Sequence, residues 1–305
     1  MDYRIPVGDW IEAAVEFLLN TIQPFFDGVT LVVGWLVDQL ESGMLGIPEW
    51  LFIAIIALLG LWRVGWRFTL FAVISMGLVI GMGLWAETVV TVALVIAASV
   101  VALAIGIPMG ILAAKSDIAL AIIRPVLDLM QTMPPFVYLI PAAMFFGLGK
   151  VPGTIATIIF AMPPAVRLTN LGIRQVGREM VEAGLAFGCT RGQLLAKVQI
   201  PVAMPSIMAG VNQVIMLALS MVVIASMIGA GGLGNVVLRG IQRLDIGLGF
   251  EGGLGVVIAA IILDRLTQTF GHHRKQAGVL ERLKGAAQWF TRGSGETKDK
   301  PAQHK

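Results

Sequence analysis

The chain is short of the residues on which soluble enzymes rely. Of its 305 residues only 13% are charged and 57% are apolar, whereas an ordinary soluble domain is about one quarter charged. That scarcity excludes a fold solvated by water on all sides and points to lipid as the solvent. A single cysteine, Cys189, excludes an intrachain disulfide and a multi-thiolate metal site. The three histidines, His272, His273 and His304, all fall in the last 34 residues. The apolar segments therefore hold no histidine for haem ligation or intramembrane metalloprotease chemistry, and no metal site is expected. A phosphate-binding loop is missing too, because Gly149-Lys150 is followed by Val151 and position 144 is a methionine. The N-terminus, with Asp2, Asp9, Glu12 and Glu16, lacks the basic start and short apolar core of a cleaved signal peptide, so the chain is expected to be retained whole. The net charge is only +3. Its basic residues stand in short clusters between apolar runs, as membrane anchors do, which speaks against nucleic acid as a partner.

What the chain has instead is apolar runs. Seven read as membrane spans: Ile47 to Trp62, Phe68 to Trp85, Thr88 to Ala114, Pro125 to Gly149, Val151 to Val166, Pro205 to Ala230 and Ile246 to Leu263. The first is short, with Arg63 and Arg67 placed to snorkel and Trp50, Trp62 and Trp66 placed as interface anchors. The segments Arg63 to Arg67, Lys115 to Arg124, Arg167 to Lys197 and Arg265 to Lys305 carry 18 of the 22 Lys and Arg. The positive-inside rule then predicts an external N-terminus and a cytoplasmic C-terminus. Residues 1–46 are expected to form an external acidic amphipathic segment, broken at Pro24, lying on the outer surface or packing on the bundle. The stretch Val29 to Val37 is too short to span by itself. Two accessory spans follow in 47–85, then a core of five spans in 86–268. A basic cytoplasmic tail in 269–305 has Val279, Leu280, Leu283, Ala287 and Phe290 at helical spacing, suited to an anionic lipid surface, and is expected to be disordered after about 293.

Between the fifth and sixth spans, residues 167–204 are too polar to insert and too many for a simple turn. Within them Val181 to Lys197 reads as two short helices hinged at Gly188. Pro201 and Pro205 are expected to stop the second helix before the next span. The run Glu182-Ala183-Gly184, with Gly188 four residues on and then Val198, Ile200 and Pro201, resembles the EAA motif of ABC-importer permeases, E-A-A-x(3)-G-x(9)-I-x-L-P. The spacing is intact. Gly184 stands for the second alanine, and Val198 and Ile200 for the aliphatic pair. Leu129-Met130-Gln131-Thr132-Met133-Pro134-Pro135-Phe136-Val137-Tyr138-Leu139-Ile140-Pro141 and Ile228-Gly229-Ala230-Gly231-Gly232-Leu233-Gly234 resemble the glycine betaine and proline betaine importers, the ProW and OpuAB branch. The likeness covers roughly residues 45 to 270. Methionine permeases share the glycine-rich run and the EAA loop.

The resemblance implies an all-α type I permease with a MetI-like core, working as a pair of identical chains. It implies cytoplasmic ABC ATPase subunits that bind ATP and magnesium, and an external substrate-binding protein. No cofactor is expected in this chain, and no covalent chemistry. Glu182, Ala183, Gly184, Gly188, Val198, Ile200 and Pro201 would form the loop that docks on the ATPase. The implied cargo is a quaternary ammonium osmolyte such as glycine betaine, proline betaine or choline.

Other residues are read on their own chemistry. Gly229, Gly231 and Gly234 satisfy G-x-G-x-x-G, but no strand precedes them, so a tight turn and close helix packing are expected instead. Pro134, Pro135 and Pro141, and Pro163 and Pro164, remove backbone donors where freed carbonyls must face protein or a wet cavity. A quaternary ammonium group cannot donate an N–H bond and is best held by aromatic faces, which singles out Phe136, Tyr138, Phe145 and Phe146. Packing against lipid or neighbouring helices is the competing role for each. Thr132, Asn212, Gln213 and Ser220 either line the path or join helices. Asp128 follows Arg124 by four residues, an ion-pair spacing. Glu251 interrupts the last apolar run, where a carboxylate is costly unless it faces a cavity or partner. Two alternatives stay open: an ion-coupled secondary transporter, and an ABC permease for another small substrate such as an amino acid.

Overall fold

The computed structural model describes residues 7–271, and the expected tail helix around Val279 to Phe290 lies outside them. Among the described residues there are thirteen α-helices and no strand. In chain order they are α1 (Val7–Leu45), α2 (Glu49–Arg63), α3 (Trp66–Gly81), α4 (Trp85–Lys115), α5 (Asp117–Thr132), α6 (Pro135–Phe146) and α7 (Lys150–Ala161). Then come α8 (Pro163–Arg174), α9 (Arg178–Ala186), α10 (Arg191–Leu194), α11 (Ile200–Ala225), α12 (Gly232–Arg243) and α13 (Ile246–Gly271). Five helical runs are long and apolar enough to cross a membrane, and the bent pair α5–α6 makes a sixth. An all-helical membrane bundle is what lipid demands, because every backbone group in hydrocarbon must be bonded within its own helix. The count agrees approximately with the seven spans expected.

The differences have physical causes. The first two expected spans are α2 and α3, of 15 and 16 residues. At 1.5 Å per residue each is roughly 22 to 24 Å long, less than the ~30 Å hydrocarbon core. They pack on each other at Gly60, where an added Cβ would stand 3.0 Å from the Phe68 ring. The stretch Val29 to Val37, too short alone, belongs to α1, which from Gly8 to Leu45 is long and apolar enough to span. Pro24 does not end α1. The helix is interrupted at Ile22 (φ −124°, ψ 27°), in the turn that the proline ring crowds, and then resumes. Val33 and Val37 bury against Leu94, Ala97, Ile155, Ala225 and Ala230, so α1 packs on the bundle. Phe26 stacks on Phe145 at 4.7 Å, and the half-buried Glu41 pairs with Lys150 at 2.5 Å.

The centre is made of α4, α8 and α11. Lipid tails are as apolar as leucine, so these helices are held by close approach rather than by a hydrophobic drive. Glycine permits that approach: a Cβ on Gly110 would lie 2.6 Å from Thr169 Cβ and 2.7 Å from the Val166 carbonyl oxygen. A Cβ on Gly106 would lie 2.8 Å from Ala165 Cβ. Around this contact Ala98, Ala102, Ala161, Ala165, Val214 and Ala218 are fully buried.

Two Met-Pro-Pro corners behave differently. At Met133-Pro134-Pro135 the chain is extended (Met133 ψ 134°, Pro134 ψ 140°), and α5 and α6 meet at 104°. At Met162-Pro163-Pro164 the methionine is helical (φ −66°, ψ −36°), and α7 and α8 run on as one span from Lys150 to Arg174. Pro141, expected to disturb its span, lies inside α6 without breaking it.

Candidate coupling loop and translocation face

The loop resembling the EAA motif is a compact helix-turn-helix. Glu182 and Ala183 are exposed on α9, and Gly184 is buried beneath them. A Cβ on Gly184 would stand 2.6 Å from Leu194 Cδ1 and 3.7 Å from Val198 Cγ2. Glycine in place of the motif's second alanine thus lets the second helix sit closer to the first. α9 ends at Gly188, whose φ of +80° only glycine adopts without strain. Its N–H donates to the Leu185 carbonyl, and the Cys189 N–H donates to the Gly184 carbonyl, a Schellman closure of the helix. The next helix opens with a reciprocal cap: Gln193 N–H donates to Thr190 Oγ1, and Thr190 N–H donates to Gln193 Oε1. That Thr190-x-x-Gln193 pattern is a capping signature and could have been read from the sequence.

Pro201 and Pro205 do not stop this helix. From Arg191 through Ile228 the chain is one helical run, with a π-helical segment at Leu195–Gln199 just before Pro201. Proline removes a donor and clashes with the carbonyl four residues back, here that of Lys197. The wider π turn takes up that mismatch, so the loop joins α11 without a flexible link. The outer side of the loop presents Met180, Leu185 and Phe187, the last 90% exposed. An apolar knob of that size beside a fixed turn is suited to a partner's groove.

The residues singled out for the path fall on four helices. Thr132 ends α5, exposed, with its hydroxyl donating to the Leu129 carbonyl at 3.2 Å. Phe136 is exposed in the first turn of α6. Tyr138 is buried, and its hydroxyl donates to the Met130 carbonyl. That carbonyl would have accepted from residue 134 in a continuous helix, and Pro134 has no N–H to give. On α11 the exposed residues Gln213, Met216 and Ser220 share a face, while Asn212 beside them is half-buried with no partner for its side-chain oxygen. Glu251 is exposed near the start of α13. Tyr138 and Met221 share a buried cluster, so the start of α6 and the second half of α11 are neighbours. No hydrogen bond joins any two of the singled-out side chains.

A polar seam lies where α5 faces α8. Asp128 pairs with Arg167 at 2.7 Å, not with Arg124 as the four-residue spacing suggested. Arg167 also bonds Gln131, so α8 draws the carboxylate across the seam and away from its own helix. Arg174 binds Asp117 at 2.7 Å, Asn170 at 2.9 Å and the Ala113 carbonyl at 2.8 Å. At the opposite end, the glycine-rich run forms the expected tight turn, with Gly229, Gly231 and Gly232 all at positive φ. There the Leu233 N–H donates to Thr91 Oγ1 at 2.8 Å, tying α12 to α4.

Comparison with known proteins places this architecture. Residues 106–272 match the family described as the binding-protein-dependent transport system inner membrane component. The chain is 47% identical over 290 residues to the glycine betaine/proline betaine transport system permease protein ProW of Escherichia coli (strain K12), covering 95% of this chain and 80% of that one. It is 50% identical over 275 residues to the glycine betaine/carnitine transport permease protein GbuB of Listeria monocytogenes serotype 1/2a (strain 10403S), covering 89% of this chain and 97% of that one. Among solved structures, the fold is similar to an inward-facing form of the MetNI methionine ABC transporter. The TM-score there is 0.53 at 22% identity, over 62% of this chain and 92% of that one. The chain belongs to the family of inner-membrane components of binding-protein-dependent transport systems, and is a multi-pass permease of the type I ABC-importer kind.

Proposed function

We propose that this permease carries quaternary ammonium osmolytes, with glycine betaine first among them, into the cell at the expense of ATP hydrolysed by separate cytoplasmic subunits. The observation that carries this reading is the identity of 47% and 50% to permeases whose names specify glycine betaine, over about nine tenths of the chain or more. Two copies pair, two ATPase subunits dock on the loop around Glu182 to Pro201, and an external binding protein delivers the cargo. The N-terminus lies outside and the C-terminus in the cytoplasm, in line with the bias of basic residues. Residues 1–46 form the N-terminal segment, 47–85 the accessory helices, 86–268 the transport core with its coupling stretch 167–204, and 269–305 a cytoplasmic tail.

In the core, Glu182, Ala183, Gly184, Gly188, Val198, Ile200 and Pro201 transmit the ATPase stroke, because α9 packs through Gly184 on Leu194 and Val198 of the second helix, which runs on into α11. The exposed face of α11 with Gln213 belongs to the path or to the pair interface, since an amide facing lipid is costly. Asn212, Thr132, Phe136 and Glu251 line the same path, with Phe136 offering a ring face to the ammonium group. Tyr138 supports that wall from behind.

The test is ATP-dependent uptake into proteoliposomes containing the chain with its ATPase and binding protein, with betaine, choline, proline and methionine in competition. Betaine should accumulate and be displaced by choline far better than by methionine. Uptake of methionine alone, or uptake independent of ATP, would overturn the reading. In the same vesicles Gly188→Val should retain ATPase activity and lose transport, because a β-branched residue at φ +80° costs about 1–3 kcal/mol and distorts the turn.

A further inference from the structure

The seam between α5 and α8 encloses a cavity of about 390 Å³ lined by Arg124, Arg167, Arg174, Asp128 and Asn170, with Leu127 among its apolar walls. Its charges do not cancel. Asp128 is taken by Arg167 and Asp117 by Arg174. Three guanidinium groups thus meet two carboxylates, and the exposed Arg124 has no hydrogen-bond or ion-pair partner among the described residues. Arg174 and Arg167 are already fixed by their carboxylate and amide partners, so they form a set wall beside the free guanidinium of Arg124. A planar guanidinium presents a fork of N–H donors that matches a phosphate better than a point charge does.

The surroundings say where the anion comes from. A single residue, Ser116, separates the end of the spanning helix α4 at Lys115 from the start of α5 at Asp117. Its opposite face carries Ile118, Ile122, Val126 and Leu129, all more than half exposed. An amphipathic helix that turns its polar face inward and its apolar face outward has lipid as its outer neighbour. An exposed arginine at that boundary, beside a ready-formed cavity, meets its counter-ion in the anionic headgroup layer.

We propose that this cavity binds the phosphate of an anionic phospholipid, with Arg124 as the residue that recognises it. Arg167 and Arg174 shape the site while remaining in their ion pairs. The site lies on the permease chain itself and does not depend on which substrate is carried.

The experiment uses the purified full-length chain and phosphatidylglycerol as the probe, with retained lipid counted by native mass spectrometry. Wild type should hold phosphatidylglycerol that Arg124→Gln releases about tenfold more readily, the effect expected for one hydrogen bond to a charged group. Arg124→Lys should fall between them. Phosphatidylcholine, whose phosphate is neutralised by its own ammonium group, should not replace the bound lipid, nor should millimolar inorganic phosphate or glycerol 3-phosphate. Equal retention by wild type and Arg124→Gln would overturn the proposal. Displacement by inorganic phosphate alone would overturn it as well, by making this a site for a free anion. Neither readout depends on transport, so a wrong substrate assignment would leave the result unchanged.

Discussion

The tripeptide Met-Pro-Pro occurs twice in the bundle and folds two ways. At residues 133–135 it turns the chain through 104°, while at 162–164 the two helices run on as a single span. The residue before a proline prefers extended backbone, so Met133 follows local preference and Met162 defies it. The difference lies in the neighbours. Pro163, Pro164, Ala165 and Val166 are all buried, pressed on one side by α4 at Gly106 and Gly110 and on the other by α11 at Gly210. Pro134 is exposed and Pro135 only partly covered, with no such clamp. Close packing from two sides outweighs a backbone preference that decides the outcome where packing is thin.

The largest effect is expected where that clamp is removed. Gly110→Leu would force a side chain into the 2.6 Å gap before Thr169, costing about 3 kcal/mol or more by overpacking. The thermal midpoint of the detergent-solubilised chain should fall sharply, and Met162 should lose its helical restraint. An unchanged melting curve would show that α4 does not hold the second corner in a single span.

A smaller effect belongs to the bent corner. Tyr138→Phe removes the one donor among the described residues to the carbonyl that Pro134 orphans, leaving a part-buried acceptor unsatisfied at about 1 kcal/mol. Amide exchange across residues 129–139 should quicken while that of α8 stays as it was. If exchange does not change, the two prolines alone set the bend and the hydroxyl contributes nothing.

The smallest effect concerns the ion pair that ties the bent corner to the continuous one. Both partners are about half exposed, so Arg167→Gln should cost only about 0.2–1 kcal/mol. The loss should vanish at high salt, where exposed pairs are screened. Melting curves at low and high ionic strength check this, and a loss that survives high salt would mean the pair is less accessible than its exposure indicates.

Much of the fold is readable from composition, and the contrast between the corners shows where reading stops. Apolar runs identify α4, α7, α11 and α13, because a bilayer filters by length and charge alone. The turn at Gly188 is legible since a helix closing on glycine has a sequence signature. Met133 and Met162 share their local sequence, so no local rule separates them. Asp128 has Arg124 four residues before it and goes instead to Arg167, a partner 39 positions away that only packing supplies. Pro201 reads as a helix stop, yet a π turn absorbs it. Tyr138 reads as an aromatic wall, while its buried hydroxyl repairs a backbone defect eight residues upstream.

The unbroken run from Arg191 to Ile228 has a mechanical consequence. Its 38 residues make a rod of roughly 57 Å. The buried residues Val214, Ile215, Ala218 and Leu219, about two thirds of the way along it, grip it like a fulcrum. A rod held there swings its ends in opposite senses, so a tilt of about 10 degrees carries the longer, loop-side arm about 7 Å at its end and the shorter arm about 3 Å. A push at the loop that moves the near end one way moves the glycine turn the other way. With a stiff beam on an off-centre pivot, a displacement at the loop would reach the glycine turn in the opposite sense and reduced in size, with no separate signal travelling between them.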